Sequence, residues 1–175
     1  MIAADTVRPV GRCFLARQQS TLCWCERVQT LFAFGYKPEA SAYVLSRDEA
    51  ENTFSVLERG TMPDKHTDVV QALTVVDPNS ADENDEILVC TGGLDHALHF
   101  WDARTLEWRF NLDGHKGGVR TVSWDPVQGV LCSAGFEFDI RVWMLISSNM
   151  YPLMKLKGHR APLVHVAVVP GEYRA

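Results

Sequence analysis

Thr91-Gly92-Gly93-Leu94-Asp95-His96-Ala97-Leu98-His99-Phe100-Trp101-Asp102 has a counterpart in Ser133-Ala134-Gly135-Phe136-Glu137-Phe138-Asp139-Ile140-Arg141-Val142-Trp143. From hydroxyl residue to tryptophan is ten residues in both. Upstream of each, a histidine opens an apolar run: His66-Thr67-Asp68-Val69-Val70 and Gly114-His115-Lys116-Gly117-Gly118-Val119. A third opening, Gly158-His159-Arg160-Ala161-Pro162-Leu163, follows without a matching close. The histidines stand 49 and then 44 residues apart, and the extra length of the first unit falls in Asn79-Ser80-Ala81-Asp82-Glu83-Asn84-Asp85-Glu86. A fixed period of this size marks a repeat whose units bury their faces against one another.

Within each unit the punctuation is that of strands. Residues 69–76, 119–124 and 163–169 are rich in β-branched residues and stop at Pro78, Pro126 and Pro170, which cannot donate to a ladder. These read as innermost strands. Residues 87–91 and 130–133 are short apolar runs of the kind buried on both faces. Third strands follow at 98–101 and 140–143, each after a turn holding Asp95 or Glu137, and outer strands at 106–112 and 152–156. Helical periodicity is absent from residues 65–170, so the fold class expected is all-β.

The spacing and residue types resemble the WD40 repeat family, in which a Gly-His pair, a gap of a few tens of residues and a Trp-Asp pair mark one four-stranded propeller blade. The resemblance covers residues 60–170. It implies a partial β-propeller of about three four-stranded blades plus the first strand of another. The units fall at 61–113 and 114–157, with an incomplete one at 158–175. In this family a histidine, a hydroxyl residue, an aspartate and the tryptophan form a hydrogen-bonded relay. By position, the relay is His66, Thr91, Asp95 and Trp101 in one blade and His115, Ser133, Glu137 and Trp143 in the next. The second set departs from the pattern at Glu137 and at Met144, which follows its tryptophan; Glu137 or Asp139 is left to reach His115. The runs around Gly114 and Ser133 are also similar to those of large WD-repeat proteins of axonemes and ciliated protists.

Residues 1–60 lack a Trp-Asp pair. Runs at 21–25, 31–35, 41–45 and 54–57 read as four strands of a degenerate blade behind an N-terminal tail; the competing reading makes 46–52 a helical turn. A little over three units is short of the 4–8 blades of closed propellers. The chain is therefore expected to be part of a longer propeller protein, or to complete a ring by self-association through its open blade edges.

Composition bounds the function. The chain of 175 residues is 46% hydrophobic and 22% charged, with five Trp and eight Phe, ordinary values for a globular domain. A net charge of −5 without a basic run argues against nucleic acid or an anionic membrane as partner. No apolar run approaches the roughly 20 residues of a spanning helix and the start lacks a signal pattern, so a cytoplasmic setting, with cytoskeleton or cilium as the finer version, is expected. Cys13, Cys23, Cys25, Cys90 and Cys132 include no Cys-x-x-Cys, and no zinc site or disulfide framework is expected. His96 and His99 beside Asp95 suggest metal ligands, but residues three apart on a strand face opposite ways, and no metal is assigned. The acidic stretch 82–86 lacks the spacing and glycine of an EF-hand. There is no phosphate loop and no nucleophile motif.

The expectation is thus a non-catalytic protein–protein interaction scaffold without a cofactor. The alternative is the propeller portion of a larger enzyme or enzyme-complex subunit. By the family resemblance, docking falls on the face of the histidine loops and acidic turns, where Asp68, Leu94, Lys116, Phe136 and Arg160 are the candidates for binding a protein or peptide.

Overall fold

The computed structural model describes residues 19–35, 40–48, 53–63, 65–78, 86–146 and 149–169. Of the tail read at 1–19, residues 1–18 lie outside them while Gln19 begins the first strand, and of the acidic stretch 82–86 only Glu86 is described. Twelve strands and no helix are found among the described residues, and so no helix long and apolar enough to cross a membrane.

The strands form three antiparallel four-stranded sheets in sequence order. The first contains β1 (Gln19–Cys25), β2 (Thr30–Gly35), β3 (Ala40–Asp48) and β4 (Thr53–Met62). The second contains β5 (Val70–Val76), β6 (Leu88–Gly93), β7 (Leu98–Asp102) and β8 (Trp108–Leu112). The third contains β9 (Val119–Asp125), β10 (Val130–Gly135), β11 (Ile140–Ile146) and β12 (Asn149–Leu156). Strands β1, β5 and β9 are each the first of their sheet, and β5 packs against both of the others. This is the all-β, blade-by-blade architecture that the repeat implies, with the first sheet formed despite lacking a Trp-Asp pair.

The alternation of side chains along each strand divides the interior into two cores, one between each pair of sheets. Phe32, Phe34 and Met62 of the first sheet meet Val70, Val89 and Trp101 of the second. From the other face of the second sheet, Leu88, Cys90, Leu98 and Phe100 meet Val119, Leu131 and Trp143 of the third. Strands β6 and β7 are buried throughout because they lie between two neighbours. Among the described residues no further sheet covers the outer face of the third sheet. Its cross-strand row Cys132, Val142 and Met154 corresponds to the row Cys90, Phe100 and Phe110 of the second sheet. Cys90 is fully buried, whereas Cys132 is partly accessible and Met154 is 50% exposed.

Residues 163–169, expected as an innermost strand, run beside β9 without forming a ladder. Their backbone N–H groups at Val166 and Val168 donate to the hydroxyls of Thr121 and Ser123 at 3.1 and 3.0 Å, and Leu163 N–H donates to Gly135 O at 2.8 Å. An inner strand ladders onto the second strand of its own blade, and residues 163–169 meet none among the described residues.

Turns explain several polar residues. Asp102, which follows Trp101, accepts the N–H groups of Arg104 and Thr105 at 2.8 Å each, and its other oxygen takes Arg109 Nη2 at 2.8 Å. Arg109 in turn pairs with Glu86 at 2.9 Å. Asp125 caps the turn after β9 through the N–H of Val127 at 2.9 Å, with Gly129 at φ +63° closing that turn. Asp77 binds the blades together: its carboxylate takes Arg27 at 2.8 Å from the β1–β2 turn, and its carbonyl takes the Trp124 indole N–H at 2.8 Å from β9.

Candidate functional site

The sequence-derived sets assemble as two buried polar clusters, one per repeat. In the second sheet the His66 ring is buried before β5, with Nδ1 at 2.9 and 3.0 Å from the two Asp95 carboxylate oxygens. Its Nε2 is 2.8 Å from Thr91 Oγ1, which also accepts the Trp101 indole N–H at 3.3 Å. A carboxylate only accepts, so Nδ1 carries the proton; in a neutral ring Nε2 then accepts from the Thr91 hydroxyl. Asp95 also accepts the backbone N–H groups of Thr67 at 2.9 Å and Ala97 at 3.3 Å. Burial pushes the Asp95 carboxyl up, but its bond to His66, the charge of that ring and the two N–H groups outweigh this and hold it below the usual aspartate range. Gly93 is fixed by the same cluster, because a Cβ there would stand 2.5 Å from both Asp95 Oδ1 and His66 Nδ1.

In the third sheet His115 Nε2 lies 2.7 Å from Ser133 Oγ, and Trp143 Nε1–H donates to that oxygen at 2.7 Å. Of the two carboxylates open to this role, Glu137 is the one that reaches the ring: Oε1 stands 2.5 Å from His115 Nδ1. That contact lacks hydrogen-bond alignment, so Nδ1 has a carboxylate neighbour without a directed bond. Arg141 takes up the difference. Its Nε and Nη2 donate to the two Glu137 oxygens at 2.7 and 2.9 Å, a bidentate fork on a mostly buried carboxylate. Burial raises the Glu137 carboxyl, and the Arg141 bonds, the His115 and Arg141 charges and the Lys116 N–H more than reverse this, leaving it lowered. Burial holds the His115 pKa down at about 4, with the Arg141 charge adding to the fall and Glu137 opposing it.

The parts that two residues play in these clusters escape the reading of the sequence. His99 and Arg141 occupy the same position, two before the tryptophan of each unit. The His99 ring meets His66 edge-on with centroids 4.4 Å apart, and its Nδ1 accepts the Trp108 indole N–H at 3.2 Å. Burial, followed by the His66 ring, depresses its pKa to about 4. The equivalence was visible in the alignment of the repeats, but nothing in the sequence shows that position 99 turns toward the histidine of its own unit.

His66, Asp95 and His99 bring ligand-type atoms within 4.8 Å of one another. Each His66 nitrogen is already engaged, one with Asp95 and one with Thr91, and His99 Nδ1 is engaged with Trp108. A cation would have to displace those partners. His96, three residues before His99, is exposed and outside this cluster.

The docking candidates gather at the end of the sheets where the histidine loops lie. Leu94 N–H donates to Val69 O at 2.9 Å, next to exposed Asp68. A Cβ on Gly118 would stand 2.7 Å from the Leu94 side chain and 3.3 Å from the Phe136 ring, so these three are adjacent. Phe136 and Phe138 are each 47% exposed in the turn between β10 and β11. Lys116 is exposed beside that turn, its N–H on Glu137. Arg160 is exposed shortly before Leu163, whose N–H reaches Gly135 at the end of β10.

Comparison with known proteins finds the same kind of repeat. A family model described as WD domain, G-beta repeat, matches residues 107–144, from β8 into β11. The chain is 30% identical over 83 residues to Cilia- and flagella-associated protein 337 B of Tetrahymena thermophila, covering 47% of this chain and 6% of that protein. It is 34% identical over 59 residues to Protein HIR1 of Cryptococcus neoformans var. neoformans, covering 34% of this chain and 7% of that protein. It is 33% identical over 63 residues to Periodic tryptophan protein 2 of Saccharomyces cerevisiae, with 35% and 7% covered. The chain thus spans less than a tenth of the length of these relatives. Repeat spacing, three sequential four-stranded sheets and the matched residues together support WD40 repeats in this chain, with the family match lying within residues 107–144.

Proposed function

We propose that the chain is a non-catalytic docking module that offers its histidine-loop face to a protein or peptide partner, with repeat units at 61–113 and 114–157. The observation carrying this reading is the contrast between its polar and apolar groups. His66, Asp95, His115 and Glu137, the residues that most resemble reacting groups, are engaged with one another and with Thr91, Ser133, Arg141 and two tryptophans inside the fold. Large apolar side chains, by contrast, stand exposed at the β10–β11 turn. Exposed aromatic residues in a fixed turn suit the anchor role found at protein interfaces. The buried sets act as structural relays that tie each histidine loop to the turn before the third strand.

Capture of partners from the source cell by the tagged chain tests the reading. Phe136→Ala and Arg160→Ala are expected to lose a partner that the unmodified chain retains. Retention of every captured protein by both variants would dismiss this face. A ciliary setting is the finer version, supported by the name of the Tetrahymena relative and by nothing in the chain's own chemistry; imaging of the tagged chain checks it.

A further inference from the structure

All three inner strands carry one extra residue near their start, Ser20 being the one in β1. In β5, Val70 and Ala72 pair with Gly93 and Gly92, leaving Gln71 over; in β9, Val119 and Thr121 pair with Gly135 and Ala134, leaving Arg120 over. A bulge of this kind re-aims the side chain it carries. Gln71 and Arg120 line one cavity of about 160 Å³, together with Thr21 of β1, Thr121 of β9 and His165. The cavity therefore lies where the three inner strands and residues 163–169 run side by side.

Its chemistry is one-sided. The Arg120 guanidinium carbon sits 5.4 Å above the Phe136 ring, and no carboxylate pairs with Arg120 among the described residues. A stacked guanidinium keeps its edge N–H groups available for a planar oxyanion. Gln71 adds an amide, Thr21 and Thr121 add hydroxyls, and none of the lining residues is acidic. In a chain of net charge −5, an unpaired arginine among neutral polar groups is a local reversal of sign. A volume of about 160 Å³ is below the roughly 300–1,000 Å³ of sites that enclose a metabolite, but it has room for one side chain.

We infer that this cavity receives the carboxylate of a glutamate or aspartate from a partner peptide, held by Arg120, while an apolar side chain of the same peptide rests on Phe136. The inference rests on the docking reading and specifies what that face selects. Steric room, a cation without a carboxylate partner among the described residues and an exposed ring stacked against that cation are the three requirements, and Arg120 at the β9 bulge joins them.

The test uses an array of decapeptides with randomised flanks around a central Phe-Glu, and a duplicate array with Phe-Gln, probed with the labelled 175-residue chain. Binding to the Glu array is expected to exceed binding to the Gln array about tenfold, the worth of one charge-assisted hydrogen-bonded pair. Arg120→Gln should bring that ratio to about one and Arg120→Lys should keep part of it, both with an unchanged urea midpoint. Equal binding to the two arrays, a preference that survives Arg120→Gln, or no binding to either would overturn the inference. Partner capture by the Phe136→Ala chain is a separate measurement, so the docking reading and its acidic specificity can fail independently.

Discussion

At the scale of single residues, the buried histidines are the part of this chain that most resembles catalytic machinery. His66 lies within hydrogen-bond reach of a carboxylate and a hydroxyl, the set found in many hydrolases, yet the hydroxyl also takes the Trp101 N–H and the carboxylate also takes two backbone N–H groups. Removing that carboxylate leaves buried donors unpaired, at a cost of about 1–3 kcal/mol. Asp95→Ala is therefore expected to lower the urea unfolding midpoint markedly, while Glu107→Ala, at an exposed position, stays within about 0.5 kcal/mol of the parent. Similar small shifts in both would remove the structural role given to Asp95. A pH dependence follows from His99 and His115, whose folded-state pKa values of about 4 lie below the ordinary 6.5. Between those values the unfolded chain takes up protons that the folded chain resists, so stability falls as pH drops from 6.5 toward 4 and is level with respect to these two groups above 6.5. Below that window the lowered carboxyls of Asp95, Asp102 and Glu137 continue the loss. Urea midpoints measured from pH 7 down to 4.5 check the direction.

At the scale of strands and turns, the sequence is most legible where geometry leaves the least choice. Strands β5 and β9 end close to where Pro78 and Pro126 require, and the start of β6 reads as a short apolar run because it is covered on both faces. The polar sets of the second and third sheets follow from register, since ten residues from hydroxyl to tryptophan bring Thr91 beside Trp101 and Ser133 beside Trp143. The first sheet was harder to read, because without a Trp-Asp pair only its apolar runs mark it; it forms through Phe32, Phe34 and Met62 packing on the second sheet. The inward roles of His99 and Arg141 were hidden, because a polar residue on a strand reads the same whether it meets water or a buried neighbour. Arg141 nonetheless compensates for the replacement of aspartate by Glu137, which reaches His115 without aligning on its N–H. At the end of β10, a Cβ on Gly135 would fall 2.0 Å from Gly118 O and 2.8 Å from Arg120 N, both backbone atoms. Gly135→Ala is expected to destabilise by about 1–3 kcal/mol, as overpacking does, and to disturb the β9 bulge; an unchanged urea midpoint would contradict this close approach of β9 and β10.

At the scale of the whole molecule, three sheets stacked in sequence form an arc with unlike ends. The row Cys90, Phe100 and Phe110 is closed by the third sheet, whereas among the described residues no fourth sheet covers the corresponding row Cys132, Val142 and Met154, of which Met154 is 50% exposed. Repeat units derive much of their stability from such neighbour interfaces, and an uncovered apolar face favours association. Light scattering on a sizing column is expected to give a molar mass above 19.6 kDa for the isolated chain; a sharp monomer peak would mean that this face is tolerated in water. The central claim is that the arc holds its polar relays for stability and its loop face for docking. The measurement that separates the two compares Asp95→Ala with Phe136→Ala by urea midpoint and by partner capture at a temperature where both remain folded. The account predicts a lowered midpoint with capture retained for Asp95→Ala, and an unchanged midpoint with capture lost for Phe136→Ala. A Phe136→Ala chain that still captures every partner, or an Asp95→Ala chain as stable as the parent, would contradict it.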